Sequence, residues 1–274
     1  MADPSGPQST RKRRAPVRKR FGQHFLRDAA VLEHIIDAVS PARDDRVVEI
    51  GPGRGALTRP LLARLDQLHV IEIDRDLASG LRILEPDTNR LIVYATDAIG
   101  FDFSALGDQL RVVGNLPYNI STPLLFHMLR FHPQVRDMHF MLQKEVVDRM
   151  AASPGSRTYG RLSVMLQARC LVEPLFVIGR DAFRPKPAVE SAFVRVLPRQ
   201  DSLELVDTGL FERTVRQAFS MRRKTLRNAL KSIAGTADFA AAGIDPGARP
   251  ETLTPEHFAA LANRLARHAP RAGI

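Results

Sequence analysis

Residues 46–74 read RVVEIGPGRGALTRPLLARLDQLHVIEID, and this stretch decides the fold. Two apolar runs, residues 46–50 and 68–74, have the length and branched composition of buried β-strands. Between them, residues 56–65 have the apolar spacing of a helix, and Gly51-Pro52-Gly53-Arg54-Gly55 joins the first strand to that helix. A strand, a helix and a second strand in this order predict a βαβ unit of a parallel sheet.

The same alternation continues to about residue 200. The last two β-like runs, residues 175–178 and 191–197, lie too close together for a crossover helix, which predicts an antiparallel edge to the sheet. The fold class is therefore α/β, with a Rossmann-like, mostly parallel sheet. The remaining predicted elements are strands at residues 91–97, 110–116 and 138–143 and a helix at residues 121–131.

The chain divides into three parts by composition. Residues 1–20 are rich in Arg, Pro and Ser and poor in apolar residues, which predicts a disordered basic tail. Residues 21–200 form the predicted α/β domain. Residues 201–274 contain no convincing strand and form a second, helical predicted domain, with helices at residues 210–234, 238–242 and 255–269.

Charge and cysteine usage restrict the classes of function. The net charge is +10 over 274 residues, which favours a polyanionic partner such as nucleic acid, although a proteome rich in Arg is the alternative. Cys170 is the only cysteine, so no intramolecular disulfide or cysteine-based metal site is possible, and we expect a cytoplasmic location. We expect no metal and no membrane association, because the histidines lack ligand spacing and no apolar run could cross a bilayer.

Polar residues stand at the ends of the predicted strands. Glycines follow the first strand as G-x-G-x-G, which differs from the G-x-G-x-x-G of dinucleotide-binding proteins. Glu72 ends the second strand about 20 residues later, where an acid meets ribose hydroxyls in Rossmann folds, and Asp74 is the second candidate. Asp97 ends the third strand and is suited to accept a hydrogen bond from the amino group of an adenine.

Asn115-Leu116-Pro117-Tyr118 ends the fourth strand. The amide oxygen and a backbone carbonyl can accept hydrogens of an amino-bearing base, while the tyrosine ring stacks on its face. The alternative is a proline turn with Tyr118 in the core. Because the four strand ends meet at one edge of a parallel sheet, we expect a crevice for a ribose, an adenine and a target amine.

Together these residues resemble the motifs of class I S-adenosylmethionine-dependent N6-adenine methyltransferases. Within that class, the chain resembles the small-subunit (16S) rRNA adenine N6,N6-dimethyltransferases (the RsmA/KsgA family) from about Arg18 to the C-terminal helices. In two places it departs from them: His24 stands where Asn is common, and FRPKP at 183–187 stands where three prolines often occur. The further segments that carry the resemblance are residues 21–26, 115–123, 143–146, 159–163 and 219–230.

The resemblance implies an enzyme that uses S-adenosyl-L-methionine to dimethylate the N6 amino groups of two adjacent adenines near the 3′ end of 16S rRNA. Its partner would be this rRNA within the small ribosomal subunit or its precursor, and we expect a monomer. Phe183 would add a second aromatic wall for the target base. The implied catalytic residues are Asn115, Leu116, Pro117 and Tyr118. The implied cofactor contacts are His24, Leu26, Gly51, Gly53, Glu72, Asp97 and Asn115.

A cluster of basic residues follows Phe219. Arg222, Arg223, Lys224, Arg227 and Lys231 cluster on or beside a predicted C-terminal helix. They are predicted to bind rRNA phosphates, and Lys144 and Arg161 are predicted to extend this surface. The alternative is an ordinary solvated helix face. Rival functions are methylation of 23S rRNA or DNA adenine and an assembly factor without chemistry. A nicotinamide dehydrogenase fits the glycine spacing poorly.

Overall fold

The computed structural model describes residues 24–87, 89–118, 120–201, 203–221 and 224–268. The predicted tail at residues 1–20, the first three residues of the 21–26 motif, and Arg222 and Arg223 lie outside these ranges. No helix within the described ranges is long and apolar enough to cross a membrane.

Strands alternate with helices through the first two thirds of the described residues, and helices follow. The strands are β1 (Phe25–Leu26), β2 (Val47–Ile50), β3 (Leu68–Ile71), β4 (Leu91–Tyr94), β5 (Leu110–Asn115), β6 (Val135–Gln143), β7 (Cys170–Ile178), β8 (Phe183–Arg184) and β9 (Ser191–Pro198). The helices are α1 (Ala29–Val39), α2 (Thr58–Leu62), α3 (Arg75–Leu84), α4 (Ser121–Met128), α5 (Lys144–Met150), α6 (Arg161–Gln167), α7 (Thr208–Ala218), α8 (Leu226–Ala229), α9 (Thr236–Ala241) and α10 (Pro255–His268).

The main sheet has the strand order β4-β3-β2-β5-β6-β9-β7. Strands β2 to β6 are parallel to one another, whereas β9 pairs antiparallel with both β6 and β7. The predicted α/β fold with an antiparallel edge is therefore confirmed. The chain moves from β2 outward to β4 and then returns to β5 on the other side of β2, so the strand order reverses between β2 and β5. Ligands of open α/β sheets bind at the carboxyl ends of strands at such a point.

The central strands are apolar on both faces because helices cover both sides of the sheet. Successive residues point to opposite faces, so Val47 and Val113 pack into one hydrophobic core and Val48 and Val112 into the other. All four side chains are fully buried. This burial explains why β2 and β5 are mostly apolar, without the alternation of polar and apolar residues found in strands with one exposed face.

The predicted helix at residues 210–234 is wrong, because the structure has two separate helices there, α7 and α8. The backbone turns after Phe219, and Thr225 is extended. The Leu226 N–H then donates to the Ala248 carbonyl at 2.9 Å and the Arg227 N–H to the Pro246 carbonyl at 3.0 Å. In a continuous helix these two N–H groups would donate to carbonyls of the preceding turn. Here they donate to carbonyls of the 246–248 loop instead, and the helix is interrupted.

The helices after β9 share a core with the sheet. Phe211 of α7 and Phe258 of α10 belong to the same buried cluster as Val164 of α6. The buried Tyr159 hydroxyl also donates to the Leu253 carbonyl at 2.8 Å, which joins the loop before α6 to the segment before α10. The position of a domain boundary near residue 200 stays a prediction.

Candidate active site

A cavity opens at the carboxyl ends of β2, β3 and β5, where the strand order reverses. Ten of the residues predicted from the sequence line it. Phe183, Lys224 and Arg227 do not belong to its lining. The ten residues are His24, Leu26, Gly51, Gly53, Glu72, Asp97, Asn115, Leu116, Pro117 and Tyr118.

The glycine loop after β2 forms the floor of the cavity. Gly51 and Gly53 have φ angles of 67° and 58°, a region that side chains with a Cβ rarely adopt. A Cβ at Gly53 would lie 3.0 Å from the Phe25 ring. The loop thus needs glycine both for its turn and for its close approach to β1, and it leaves main-chain atoms accessible to a ligand.

Glu72 lies next to this loop and is 5 % exposed. Its carboxylate accepts hydrogen bonds from the N–H groups of Gly53 at 3.0 Å and Asp74 at 2.9 Å. Burial raises the pKa of Glu72, and these two N–H groups oppose that rise. Asp74, the second candidate, instead accepts from the Asp76 N–H at the start of α3. Of the two acids, only Glu72 lines the cavity.

Asp97 and Ile73 line the cavity on the same side as Glu72. The Asp97 carboxylate accepts a hydrogen bond from the Ile99 N–H at 3.0 Å and is otherwise exposed. Ile73 is 47 % exposed although it is apolar, and it lines the same cavity. Sequence reasoning missed Ile73. The only feature of the sequence that could have indicated it is its position as an apolar residue between two acids, Glu72 and Asp74, at a strand end. An apolar surface beside a carboxylate suits a flat heterocycle that carries an amino group.

Asn115 lies on the other side of the cavity. Its side-chain N–H donates to the main-chain carbonyl of His24 at 3.0 Å. Because the nitrogen has this partner, the amide oxygen is the atom left to accept hydrogens from a ligand. The following Leu116 is 1 % exposed, and its N–H donates to the Met141 carbonyl at 3.1 Å. The loop is therefore anchored to β6 directly after Asn115.

Tyr118 is half-buried and lines the cavity, so it is not a core residue. Its hydroxyl shares a hydrogen bond with the Ser191 hydroxyl at 3.0 Å, and the Ser121 hydroxyl donates to its carbonyl at 3.0 Å. Burial raises the pKa of Tyr118, although the bond with Ser191 opposes this. Sequence reasoning missed Ser191, because nothing in its local sequence indicates a partner 73 residues away.

His24 and Phe183 connect the cavity to the late loop. The His24 Nδ1 lies 2.8 Å from the Pro185 carbonyl, and since a carbonyl only accepts, Nδ1 carries the proton. Phe183 pairs with Leu26 between β8 and β1 and is 1 % exposed. It therefore presents no open face to the cavity in this structure, and its role as a second aromatic wall stays a prediction.

Glu49 is a buried acid that sequence reasoning missed. It is 2 % exposed, lines the cavity and accepts a hydrogen bond from the Thr58 hydroxyl at 2.7 Å. Burial raises the pKa of Glu49 to about 8, and the nearby Glu72 adds to the rise while Thr58 opposes it. Its signal in the sequence is a single acid within the apolar run of β2.

The basic residues after Phe219 lie apart from this cavity. Lys224 and Arg227 are exposed, whereas Leu226 is buried, so the predicted polar and apolar faces are present in the described part of the segment. Lys144 pairs with Asp148 at 2.8 Å. The Arg161 guanidinium lies 4.7 Å from the centroid of the Phe126 ring. Among the described residues, no group of His, Cys, Asp and Glu is placed to hold a metal ion.

Comparisons with known proteins agree with this fold. The sequence model of a family described as "Ribosomal RNA adenine dimethylase" matches residues 14–267. A protein of Thiobacillus denitrificans named "Ribosomal RNA small subunit methyltransferase A" is 55 % identical over 250 residues, covering 91 % of this chain and 98 % of its own. A protein of the same name from Bordetella pertussis is also 55 % identical, covering 91 % of this chain and 94 % of its own.

Two solved structures are similar over most of the chain. A dimethyladenosine transferase from Plasmodium falciparum superimposes with a TM-score of 0.74 at 28 % identity, covering 87 % of this chain and 96 % of its own. The 23S rRNA methyltransferase ErmE superimposes with a TM-score of 0.65 at 26 % identity, covering 88 % of this chain and 99 % of its own. The similarity therefore extends beyond the sheet to the C-terminal helices.

Proposed function

The chain belongs to the ribosomal RNA adenine dimethylase family, and from this premise we propose that it methylates two adjacent adenines in the hairpin near the 3′ end of 16S rRNA. S-adenosyl-L-methionine donates the methyl groups. Each adenine receives two of them at N6, so four transfers complete the reaction during biogenesis of the small ribosomal subunit. The observation that carries the proposal is that Asn115 and Glu72 line one cavity from opposite sides.

The glycine loop side of the cavity fits the methyl donor. Gly51 and Gly53 leave no side chain between a ligand and the main chain, and the two bonds to Glu72 fix its carboxylate. Each oxygen of that carboxylate retains a lone pair for ribose hydroxyls. Asp97 would accept from the amino group of the donor's adenine ring. When bound, S-adenosyl-L-methionine supplies a methyl group on a sulfonium cation, which needs no acid to release its sulfide.

The Asn115 side of the cavity fits the target base. The exocyclic nitrogen of adenine is a poor nucleophile because its lone pair is delocalised into the ring. The Asn115 amide oxygen and a main-chain carbonyl of the 115–118 loop would accept its hydrogens and favour a localised lone pair. Orientation then supplies most of the acceleration, and no strong base is required, since the nitrogen becomes acidic only after methylation. Tyr118 would stack on a base turned out of the RNA helix.

The remaining assignments of the proposal concern the rRNA. Lys224 and Arg227, with Arg222 and Arg223, would bind phosphates, and residues 201–274 would act as an RNA-binding domain. The net charge of +10 supports a partner of this kind.

The protein would act in the cytoplasm as a monomer on the small ribosomal subunit or its precursor, with no metal and no membrane association. Residues 21–200 would form the catalytic domain.

The decisive experiment compares substrates. Purified protein and labelled S-adenosyl-L-methionine are incubated with 30S particles that lack the modification, with 23S rRNA and with duplex DNA, and the nucleosides are separated by mass spectrometry. N6,N6-dimethyladenosine is expected only in 16S rRNA. Label confined to 23S rRNA or DNA would overturn the proposal. The 23S arm matters most, because ErmE has a similar structure.

The role as an assembly factor without chemistry is tested separately. An Asn115→Ala variant is introduced into cells that lack the wild-type gene, and both 16S methylation and the maturation of small subunits are measured. The proposal expects methylation to be lost. Full methylation in this variant would contradict the catalytic assignment of Asn115.

A further inference from the structure

Tyr118, which follows β5, is hydrogen-bonded to a residue of β9, two strands away in the sheet. Its hydroxyl shares a hydrogen bond of 3.0 Å with the hydroxyl of Ser191, which lies 73 residues later in the chain. Ser191 is 1 % exposed and is the first residue of β9. It pairs with Gln143 of β6 on one side and with Ile178 of β7 on the other. Because both neighbouring strands pair with Ser191, its backbone has a fixed position from which the hydroxyl reaches Tyr118.

The rest of the tyrosine has weaker restraints. The Ser121 hydroxyl binds its main-chain carbonyl, which orients the loop but not the ring. The His24 ring lies 5.7 Å from the Tyr118 ring, centroid to centroid, at an angle of 30°. Within the described residues, Ser191 is therefore the hydrogen-bonding partner that restrains the free end of the ring.

The two methyl transfers to one adenine place different demands on this ring. An unmodified adenine can donate two hydrogen bonds from its amino group, one of them to the Asn115 amide oxygen. A monomethylated adenine has one N–H left, so hydrogen bonds orient it less and stacking must orient it more. A hydrogen bond that fixes the stacking ring should therefore matter more for the second transfer than for the first.

We propose that Ser191 is a positioning residue that holds the Tyr118 ring for the second methyl transfer to each adenine. This inference rests on the proposed function, since it requires two transfers to the same nitrogen. Ser191 acts through Tyr118 and does not itself contact the base.

The test measures mono- and dimethylated adenine over time in 16S rRNA of 30S particles, using wild type, Ser191→Ala, Tyr118→Phe and the double variant. In each single variant, the rate of the second transfer relative to the first should fall about fivefold, the effect of losing one neutral hydrogen bond. N6-methyladenosine should then accumulate. The double variant should resemble Tyr118→Phe, because Ser191→Ala removes nothing further once the tyrosine hydroxyl is absent.

Thr214→Val is the matched control. Thr214 is fully buried in α7, and its hydroxyl has no hydrogen-bonding partner among the described residues. Its removal should leave the ratio of the two transfers unchanged. If Ser191→Ala folds poorly, Tyr118→Phe removes the same hydrogen bond from the other side and carries the test alone.

Two outcomes would overturn the inference. One is a wild-type ratio of the two transfers in Tyr118→Phe. The other is a further fall when Ser191→Ala is added to Tyr118→Phe, which would show that Ser191 acts independently of the tyrosine. A wild-type protein that produces no dimethyladenosine would instead overturn the proposed function.

Discussion

The side-chain N–H of Asn115 donates to the main-chain carbonyl of His24 at 3.0 Å, across 91 residues of sequence. This bond determines which end of the amide faces the cavity. It also ties the loop after β5 to β1, which begins at the next residue, Phe25. The chemistry proposed for Asn115 thus depends on a segment at the start of the described residues.

Asn115→Asp should abolish most activity. The carboxylate would place an oxygen against the His24 carbonyl, so two acceptors would repel each other where one hydrogen bond now exists. We expect the single-turnover rate of methyl transfer to fall about 100-fold or more. Asn89→Asp, an exposed change before β4, should stay at the wild-type rate. A single-turnover rate for Asn115→Asp close to wild type would contradict the assignment.

Glu72→Gln should weaken binding of S-adenosyl-L-methionine. One carboxylate oxygen would become an NH2 group facing the N–H of Gly53 or Asp74, so a buried hydrogen bond would become a repulsive contact. We expect Kd to rise about 10- to 100-fold, measured by isothermal titration calorimetry. Glu33→Gln, on the exposed face of α1, is the control. An unchanged Kd for Glu72→Gln would exclude Glu72 from the cofactor site.

Glu49 should make the protein less stable as pH rises. Its pKa is about 8 in the folded chain against 4.5 for an unperturbed Glu. Between these values the unfolded chain has released the proton and the folded chain retains it, so the free energy of unfolding falls as pH increases and levels off above about pH 8. The loss should amount to a few kcal/mol.

The measurement for Glu49 is urea denaturation between pH 5 and pH 9. Glu49→Gln keeps an acceptor for the Thr58 hydroxyl but cannot ionise, so the difference between wild type and variant isolates this group. As pH rises, the free energy of unfolding of the wild type should fall relative to that of Glu49→Gln. A difference independent of pH would show that Glu49 does not hold its proton in the folded protein.

Arg111→Met should destabilise the fold far more than a change at an exposed ion pair of equal length. Arg111 lies 2.6 Å from Asp45 and is 6 % exposed, and it also binds Asp137 at 2.9 Å. The Arg43–Asp66 pair is also 2.6 Å long, but its side chains are 84 % and 61 % exposed. Loss of Arg111 removes the guanidinium that Asp45 and Asp137 share and leaves them only Arg136 and His139, at about 3–5 kcal/mol, whereas Arg43→Ala should cost less than about 1 kcal/mol. The free energies of unfolding are measured by urea denaturation. If Arg111→Met and Arg43→Ala lower them by similar amounts, burial does not determine how much an ion pair stabilises this protein.

Lys224→Ala combined with Arg227→Ala should weaken rRNA binding in a salt-dependent way. Each phosphate contact contributes about 0.7–0.9 to the slope of log K against log salt, so the slope should become shallower by about 1–2. Filter binding to a 16S fragment at several salt concentrations gives this slope. Arg43→Ala removes one charge elsewhere on the surface and should leave the slope unchanged. If the double variant has the same slope of log K against log salt as the wild type, these side chains make no phosphate contacts.

Local sequence patterns predicted most of the sheet. Apolar runs of five to seven residues identified β2 to β6, because strands in the middle of a parallel sheet are covered by helices on both faces and are therefore apolar along most of their length. The glycine loop after the first run identified Gly51, and polar residues at the ends of the next three runs identified Glu72, Asp97 and Asn115. The prediction succeeded because the carboxyl ends of parallel strands meet at one edge of the sheet, whatever the details of packing.

Features that depend on contacts distant in sequence could not be predicted. The break between α7 and α8 arises because the 246–248 loop takes backbone donors that a continuous helix would use itself. Helical periodicity continues through the break and so conceals it. In the same way, burial of Phe183 results from its pairing with Leu26, and no local pattern distinguishes a buried aromatic residue from one that faces a ligand.

The sequence alone determined the α/β fold, the order of its strands along the chain and the polar residues at their ends, because these depend on neighbouring residues. Only the tertiary structure decided which atoms of those residues face the cavity. The orientation of the Asn115 amide, the restraint of Tyr118 by Ser191 and the raised pKa of Glu49 each depend on groups brought together by folding. Hydrogen bonds and burial act over a few ångströms in space, and the separation of residues along the chain carries no information about them.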